Sequence, residues 1–300
     1  MIQIQDVDLK LLRVFDAVVR CAGFSAAQAE LNVGQSTISM QIGQLETRLG
    51  VRLCERGRAG FRLTEQGCAI HEATQRLLSA IDNFRMEADQ QKRAIAGTLN
   101  LGVIDNTVTD PGSPLREAVK RFLRHGPQVR INAYVGSPSD LEQMVLDGRL
   151  HVAIGHFPFP VGGLVSTPLY AEVHGLFCGG QHGLLQHRSA PDIPLMELRE
   201  AQVVARGYLR RRDTDLLHID VPASTADNVE AQAILILSNA LIGFLPLHYA
   251  APWVVSGDLV RLVPKKMSLR SEFSFIMRRQ PLSPLVRRFV QDLTEPKKTA

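Results

Sequence analysis

The sequence predicts a multidomain chain in three parts: an all-α helix-turn-helix with a hairpin wing, a long linker helix, and an α/β domain of two lobes. Three observations predict it. Helical spacing alternates with tight-turn residues over 1–63, one helical pattern runs from Thr64 to about Arg93, and short apolar strands then alternate with helices to the end. The boundaries fall at 1–63, 64–93 and 94–300, lobe I taking about 98–166 and 268–300 and lobe II about 167–267.

From Val7 to Val19 the apolar positions Leu9, Leu12, Phe15, Ala17 and Val19 recur at steps near three and four, as an amphipathic helix requires, and Gly23 ends it. Ser25 opens a second helix to Leu31, with Gln28 completing an S-x-x-Q capping box. Asn32-Val33-Gly34 is a tight turn, and a third helix follows from Gln35 to Leu49. Ile38, Ile42, Leu45 and Leu49 share one face of it, which leaves Gln35, Ser36, Thr37, Ser39, Met40, Gln41 and Gln44 exposed. Gly57 and Gly60 bracket Arg56-Gly57-Arg58-Ala59-Gly60-Phe61-Arg62, a hairpin with arginines at its tip.

Thr64 offers a capping hydroxyl for the long helix. Within that helix Ile70, Ala73, Leu77, Ala80 and Phe84 alternate steps of three and four, the seam of a coiled coil. No helix beside it in sequence covers this stripe, so the five residues are assigned to a homodimer interface.

Past Gly97 the α/β pattern begins with a strand from Thr98 to Ile104. A helix from Leu115 to Leu123, a strand from Val129 to Val135, a helix from Asp140 to Leu146 and a strand from Leu150 to Gly155 follow, giving three parallel strands with two crossovers. Beyond Pro168 a second set is read: strands near Val173 to Cys178 and Gln202 to Arg206, a helix near Asn228 to Leu237 and a strand near Leu241 to Leu245. A strand from Phe273 to Met277 and a helix from Pro284 to Leu293 return to the first lobe.

Composition narrows the function classes. With 45% hydrophobic and 21% charged residues and a mean hydropathy near zero, the chain reads as an ordinary globular protein. The opening MIQIQDVDLKLL lacks a charged n-region followed by an apolar run, so export is not expected. The apolar run Ala231 to Val255 is broken by Gln232, Ser238, Asn239, Pro246 and His248, so no membrane span or membrane partner is expected. A cytoplasmic location follows. Four scattered cysteines with no CxxC pair fit buried thiols in a reducing compartment.

An enzyme is not expected. Nine histidines occur, but His182 and His187 are five apart rather than three or four, and no H-E-x-x-H, G-x-S-x-G or Walker loop is present. No catalytic residue, metal ligand or cofactor is assigned.

The strongest motif is Phe24 to Gly67, ordered helix, turn, polar-faced helix and wing. A helix whose exposed face carries Gln, Ser and Thr has side chains of the right reach for base edges in a major groove. Net charge over the whole chain is only +4, but Arg48, Arg52, Arg56, Arg58 and Arg62 face a single acid, Glu55, so the basic patch is local. Ser25, the seven exposed residues of the third helix, and Arg56, Arg58 and Arg62 are therefore the DNA-binding candidates, the arginines on phosphates.

This stretch resembles the LysR-type transcriptional regulators. The resemblance is carried by Ala26-Ala27, Leu31, Gln35 with Ser39, Leu45-Glu46, Leu49-Gly50, and Leu63-Thr64 with Gly67. Gly34 stands where that family usually has a capping Ser, and Cys54 where it usually has Phe. Weaker echoes continue at Leu99-Asn100-Leu101-Gly102, Asp147 to Ile154 and Ser256 to Val260, with His151 where Asp is common. The resemblance implies a periplasmic-binding-protein-like domain holding a small-molecule effector between its lobes, homodimers and homotetramers on double-stranded DNA, and RNA polymerase as the downstream partner.

Ligands of open α/β sheets sit beyond the carboxyl ends of strands. That rule names Asn106 and Thr107 after the first strand, Ser137 and Ser139 after the second, His156 after the third, and Arg206 and Tyr208 from the second lobe. Ser139 also begins S-x-x-E with Glu142, a capping sequence. With Arg206 facing inward, a small carboxylate is the expected effector. The alternative from another class is a solute-binding or transport receptor, which shares the two-lobed fold but needs no DNA.

Overall fold

The computed structural model describes residues 5–57, 60–89, 96–159, 161–186, 190, 193–209, 212–263 and 265–295; the side chains of 56, 83, 85–89 and 212 lie outside that description. The chain divides into two compact units, Met1–Asp89 and Gln90–Ala300.

The first unit comprises α1 (Asp6–Arg20), α2 (Ala27–Leu31), α3 (Gln35–Leu49), the hairpin β1 (Cys54–Gly57) and β2 (Gly60–Leu63), and α4 (Glu65–Asp89). Its core joins Leu11, Phe15 and Val18 of α1 to Ile38, Ile42 and Leu45 of α3, with Phe24, Leu53 and Cys54 closing the ends. Each α3 residue in that set is fully buried and falls at the three-and-four spacing of a single face.

Two local expectations are corrected. Helix α2 starts at Ala27, and its cap residue, Ala26, makes no side-chain bond, so Ser25 is not the head of a capping box. The Gln28 amide instead donates to the Ser25 carbonyl (3.3 Å), and its oxygen accepts the Gln35 N–H (3.2 Å) at the start of α3. That bond supplies the acceptor that Gly34, lacking a side chain, cannot offer. Arg48 is not part of an open basic patch, because its Nε and Nη2 both donate to the Asp8 carboxylate.

The long helix does not stand apart from the helix-turn-helix. Thr74 is buried, the His71 ring lies edge-on to Phe15 with centroids 5.8 Å apart, and His71 Nε2 is 3.1 Å from Asp16 Oδ1. Helix α1 thus covers one side of α4, and the linker expected over 64–93 is part of the first body through Asp89.

The second unit runs β3 (Gly97–Val103), α5 (Leu115–Leu123), β4 (Val129–Val135), α6 (Pro138–Leu146), β5 (Val152–Gly155), β6 (Leu164–Gly179), α7 (Leu195–Glu200), β7 (Val204–Arg206) and α8 (Arg212–Asp215). It continues with β8 (Ser224–Ala226), α9 (Val229–Leu237), β9 (Gly243–Pro246), α10 (Leu247–Ser256), β10 (Leu259–Leu262), β11 (Ser268–Arg278) and α11 (Pro284–Thr294). The main sheet has the order β10-β6-β11-β5-β3-β4, with β9 also on β6. Strands β4, β3 and β5 are parallel, as two crossovers require.

The approximate lobe boundaries near 166/167 and 267/268 fall within β6 and at the start of β11. Strands β6 and β11 pair antiparallel from Ser268 opposite Gly175 to Arg278 opposite Leu164, with one register shift, and so run through both lobes. Pro168 did not end the strand because the register shifts beside it, between Phe273 and Ser274, and a bulge tolerates a residue with no N–H to donate. Lobe I packs Leu141, Val145, Leu150 and Ile276 on one face, while α5 and α11 meet through Phe122 and Phe289 with ring centroids 5.3 Å apart. Lobe II has two apolar clusters, one around Leu176, Leu198 and Phe244, the other around Phe177, Ile236 and Leu245. Among the described residues no helix is long and apolar enough to cross a membrane.

Candidate nucleic-acid interface and effector cleft

On α3 the outward face is led by Ser36, Met40 and Gln44, one turn apart, with Gln35 beside them; Met40 is 67% exposed. Thr37, Ser39 and Gln41 are half-buried on its flanks, and Gln41 Oε1 is buried without a hydrogen-bond partner. Ser25 is exposed in the turn before α2, and Arg62 is exposed on β2. The Arg56 side chain and all of Arg58 lie outside the described residues.

The motif residues that carry the family resemblance hold this surface in place rather than forming it. The Glu46 carboxylate accepts the N–H groups of Leu53 (2.7 Å) and Cys54 (3.3 Å), tying α3 to the first wing strand. Gly50 takes φ +69°, the left-handed cap that ends α3. The Thr64 hydroxyl accepts the Gly67 N–H (2.8 Å), the cap bond expected for α4, while donating to the Arg52 carbonyl (2.6 Å). A Cβ on Gly67 would lie 1.9 Å from the Leu53 carbonyl oxygen, so only glycine lets α4 come this close to the wing. Beneath the hairpin Cys54 is buried, and Phe61 packs edge-on against Phe24 with centroids 5.8 Å apart.

The stripe on α4 is divided. Ile70 and Leu77 pack against the core of their own unit, a correction to the expectation that nothing in the chain covers them, because α1 lies there. Ala73, Ala80 and Phe84 are exposed, Phe84 by 69%.

In the second unit Asn106, His156, Arg206 and Tyr208 line one cleft, together with Asp105, Glu172, His174 and Phe273. The room in it for water is about 10 Å³, enough for one molecule. Beside it lies a wider opening of about 420 Å³, also lined by His156, with Arg270, Glu272 and Ser274. Thr107, Ser137 and Ser139 do not line either space. Thr107 is buried in the 3-10 turn after β3. Ser137, not Ser139, caps α6, accepting the Asp140 N–H (3.2 Å), because Pro138 fixes the first helical residue directly after it.

The charges of the cleft differ from the sequence expectation. The Arg206 guanidinium is held by buried Asp213 through Nε (3.0 Å) and Nη2 (2.9 Å), and Asp213 also accepts the Arg206 backbone N–H (2.9 Å). Burial opposes ionisation of Asp213, but Arg206 outweighs it and lowers the carboxyl pKa. The pair is neutral as a unit, so Arg206 does not bring an unmatched positive charge to a carboxylate ligand. Asp105, which follows the first strand but was not among the residues named there, accepts the Val229 N–H (2.6 Å) at the start of α9 and bridges the lobes. Burial raises its pKa.

A second bridge is centred on His248. Its Nδ1 is 2.9 Å from Thr109 Oγ1, and its Nε2 is 2.8 Å from Glu172 Oε1 and 3.7 Å from Asp110 Oδ2. Burial works against the Glu172 charge, yet bonds to His174 and His248 hold its pKa near about 2. Asp110, Glu172 and His248 are the described residues whose ligand atoms converge, all within 4.8 Å of one another. They are far apart in sequence, so no spacing could have announced them.

Two family models match the chain: the bacterial regulatory helix-turn-helix protein of the lysR family over residues 9–68, and the LysR substrate binding domain over 92–296. The HTH-type transcriptional activator BauR of Pseudomonas aeruginosa is 40% identical over 278 residues, 92% of this chain and 91% of that protein. The crystal structure of full-length CbnR complexed with its target DNA has a TM-score of 0.63 at 21% identity, covering 95% of this chain and 98% of that one. CbnR alone, described as a LysR family transcriptional regulator, gives 0.64 at 20%, covering 95% and 97%. This chain belongs to the LysR-type family of transcriptional regulators, which are not enzymes, with a DNA-binding helix-turn-helix unit followed by an effector-binding α/β domain.

Proposed function

We propose that two copies of this chain pair through the exposed side of α4 and lay their α3 helices in successive major grooves of a roughly palindromic site. Ser36, Met40 and Gln44 face the bases, with Gln35, Thr37, Ser39 and Gln41 at the margins, and Ser25, Arg56, Arg58 and Arg62 engage the backbone. The carrying observation is the neutral, exposed face of α3, held in one rigid frame with the wing by Glu46 and Gly67. CbnR, crystallised in complex with its target DNA, supports the same reading. Phe84, Ala73 and Ala80 supply the contact between copies, and Phe84→Glu should shift sedimentation toward monomer. Pairs of dimers, with RNA polymerase as the partner that reads their spacing, complete this reading.

The test is footprinting with a salt series. Arg56→Ala with Arg58→Ala should weaken all sites about equally and lower the salt slope by about 2, whereas Gln44→Ala should cost about 1–3 kcal/mol at particular base pairs only. Sequence-selective loss from the arginine pair would contradict the phosphate assignment.

The effector binds in the cleft lined by Asn106, His156, Arg206 and Tyr208. Because Asp213 matches the charge of Arg206, a small carboxylate finds its place at the α9 N-terminus, where free N–H groups and the helix dipole favour an anion and Asp105 now sits. Calorimetry with a panel of small carboxylic acids should show tighter binding to Asp105→Asn than to the parent chain. No binding by either protein across the panel would remove the carboxylate reading.

A further inference from the structure

We propose that Asp110, Glu172 and His248 form a site for a divalent transition-metal ion such as zinc, separate from the effector reading above. The donors are two carboxylate oxygens and one imidazole nitrogen, a set suited to zinc and its neighbours. They converge from the loop after the first strand of lobe I, the middle of β6, and the first turn of α10 in lobe II.

Two observations point to an ion rather than to a simple hydrogen-bonded cluster. Asp110 is 6% exposed, and its Oδ2 has no hydrogen-bond partner although it faces His248 Nε2 at 3.7 Å, beyond hydrogen-bond reach. One proton on Nε2 can serve Glu172 at 2.8 Å, but it leaves that second buried oxygen uncompensated. A cation about 2.1 Å from each donor satisfies all three, and its charge balances both carboxylates. Moreover, each ligand has a close neighbour at its other atom. Gly112 N–H donates to Asp110 Oδ1 (2.7 Å), His174 Nε2 lies 2.7 Å from Glu172 Oε2, and Thr109 Oγ1 is 2.9 Å from His248 Nδ1. Such outer partners orient metal ligands and fix the histidine tautomer.

The site is tested by titrating the full-length chain, stripped with a chelator, with zinc chloride in a calorimeter, and with cobalt chloride in a spectrophotometer. One zinc ion per chain is expected, with a cobalt spectrum free of a thiolate charge-transfer band, which excludes the cysteines. Asp110→Asn keeps an oxygen for Gly112 and should weaken zinc at least about tenfold. Thr109→Val leaves all three ligands in place and should also weaken it about tenfold, so the test survives if the first variant does not fold. Absence of zinc uptake, a thiolate band, or parent-like affinity in the variants overturns the proposal; the cluster is then a purely hydrogen-bonded one.

Discussion

Acid should destabilise the α/β unit in part through one ring, that of His151. Its Nδ1 accepts the Asn100 N–H (2.9 Å), while its own backbone N–H donates to the Asn100 carbonyl (2.9 Å). A proton on Nδ1 would set two N–H groups against each other. Burial, with the nearby positive charge of Arg278, lowers the pKa to about 4 from 6.5. The folded chain therefore refuses a proton that the unfolded chain accepts, so stability is full above the unfolded value and is lost as pH falls through 6.5 towards 4. Linkage gives a loss of about 2 kcal/mol between pH 8 and pH 5, a ceiling because the ring is half-buried and solvent screens part of it. His151→Asn retains an acceptor oxygen and does not titrate in this range. The chain's single tryptophan, Trp253, lies in α10 and reports unfolding of this unit alone. In urea, the gap between the midpoints of parent and variant should narrow or reverse from pH 8 to pH 5. Midpoints that fall in parallel would refute the assignment.

The first unit should be sensitive at two positions outside the proposed DNA-facing surface. Glu46→Ala strands the N–H groups of Leu53 and Cys54 and should cost about 1–3 kcal/mol in thermal unfolding, with Glu46→Gln milder because it keeps an acceptor. Gly67→Ala forces α4 away from the Leu53 carbonyl and should cost about 1–3 kcal/mol while weakening DNA binding, read by anisotropy of a labelled duplex. In the second unit Asp213→Ala leaves Arg206 buried without its partner and should cost about 3–5 kcal/mol by Trp253 fluorescence; an unchanged midpoint would mean that the guanidinium finds water.

Helices with a clear apolar period were legible to the residue, as α3 and α5 show, and so was β4. Their ends coincide with a turn glycine, a proline or the loss of periodicity. Helix α10 went unread because the apolar run Ala231 to Val255 has no polar face to mark a period, and Pro252 within it argues against a helix that tertiary packing nonetheless stabilises. The Phe24 to Gly67 motif was readable for a different reason. Its members Glu46, Gly50, Thr64 and Gly67 each meet a backbone requirement that few residue types can satisfy, so the pattern can be recognised without knowing what the exposed face of α3 contacts. The cleft was legible only in part. The strand-end rule found Asn106 and His156, but Asp213, Glu172 and His248 reach their partners through tertiary pairing, which leaves no trace in spacing.

The closed cleft bears on how an effector can act. With room for a single water in the cleft lined by Arg206 and Tyr208, a larger molecule bound there must part the lobes, and two polar contacts resist this: Asp105 with the Val229 N–H, and Thr109 with His248. Each such bond contributes about 1 kcal/mol net, so the open arrangement is disfavoured by about 2 kcal/mol from these alone, or about thirtyfold in population. The apparent affinity of an effector is reduced by that same factor. Strands β6 and β11 run unbroken through both lobes, so opening bends two continuous strands rather than separating two bodies. An effector that takes the place of Asp105 at α9 removes one latch in the act of binding, and only its differential affinity for the open lobes can shift the equilibrium.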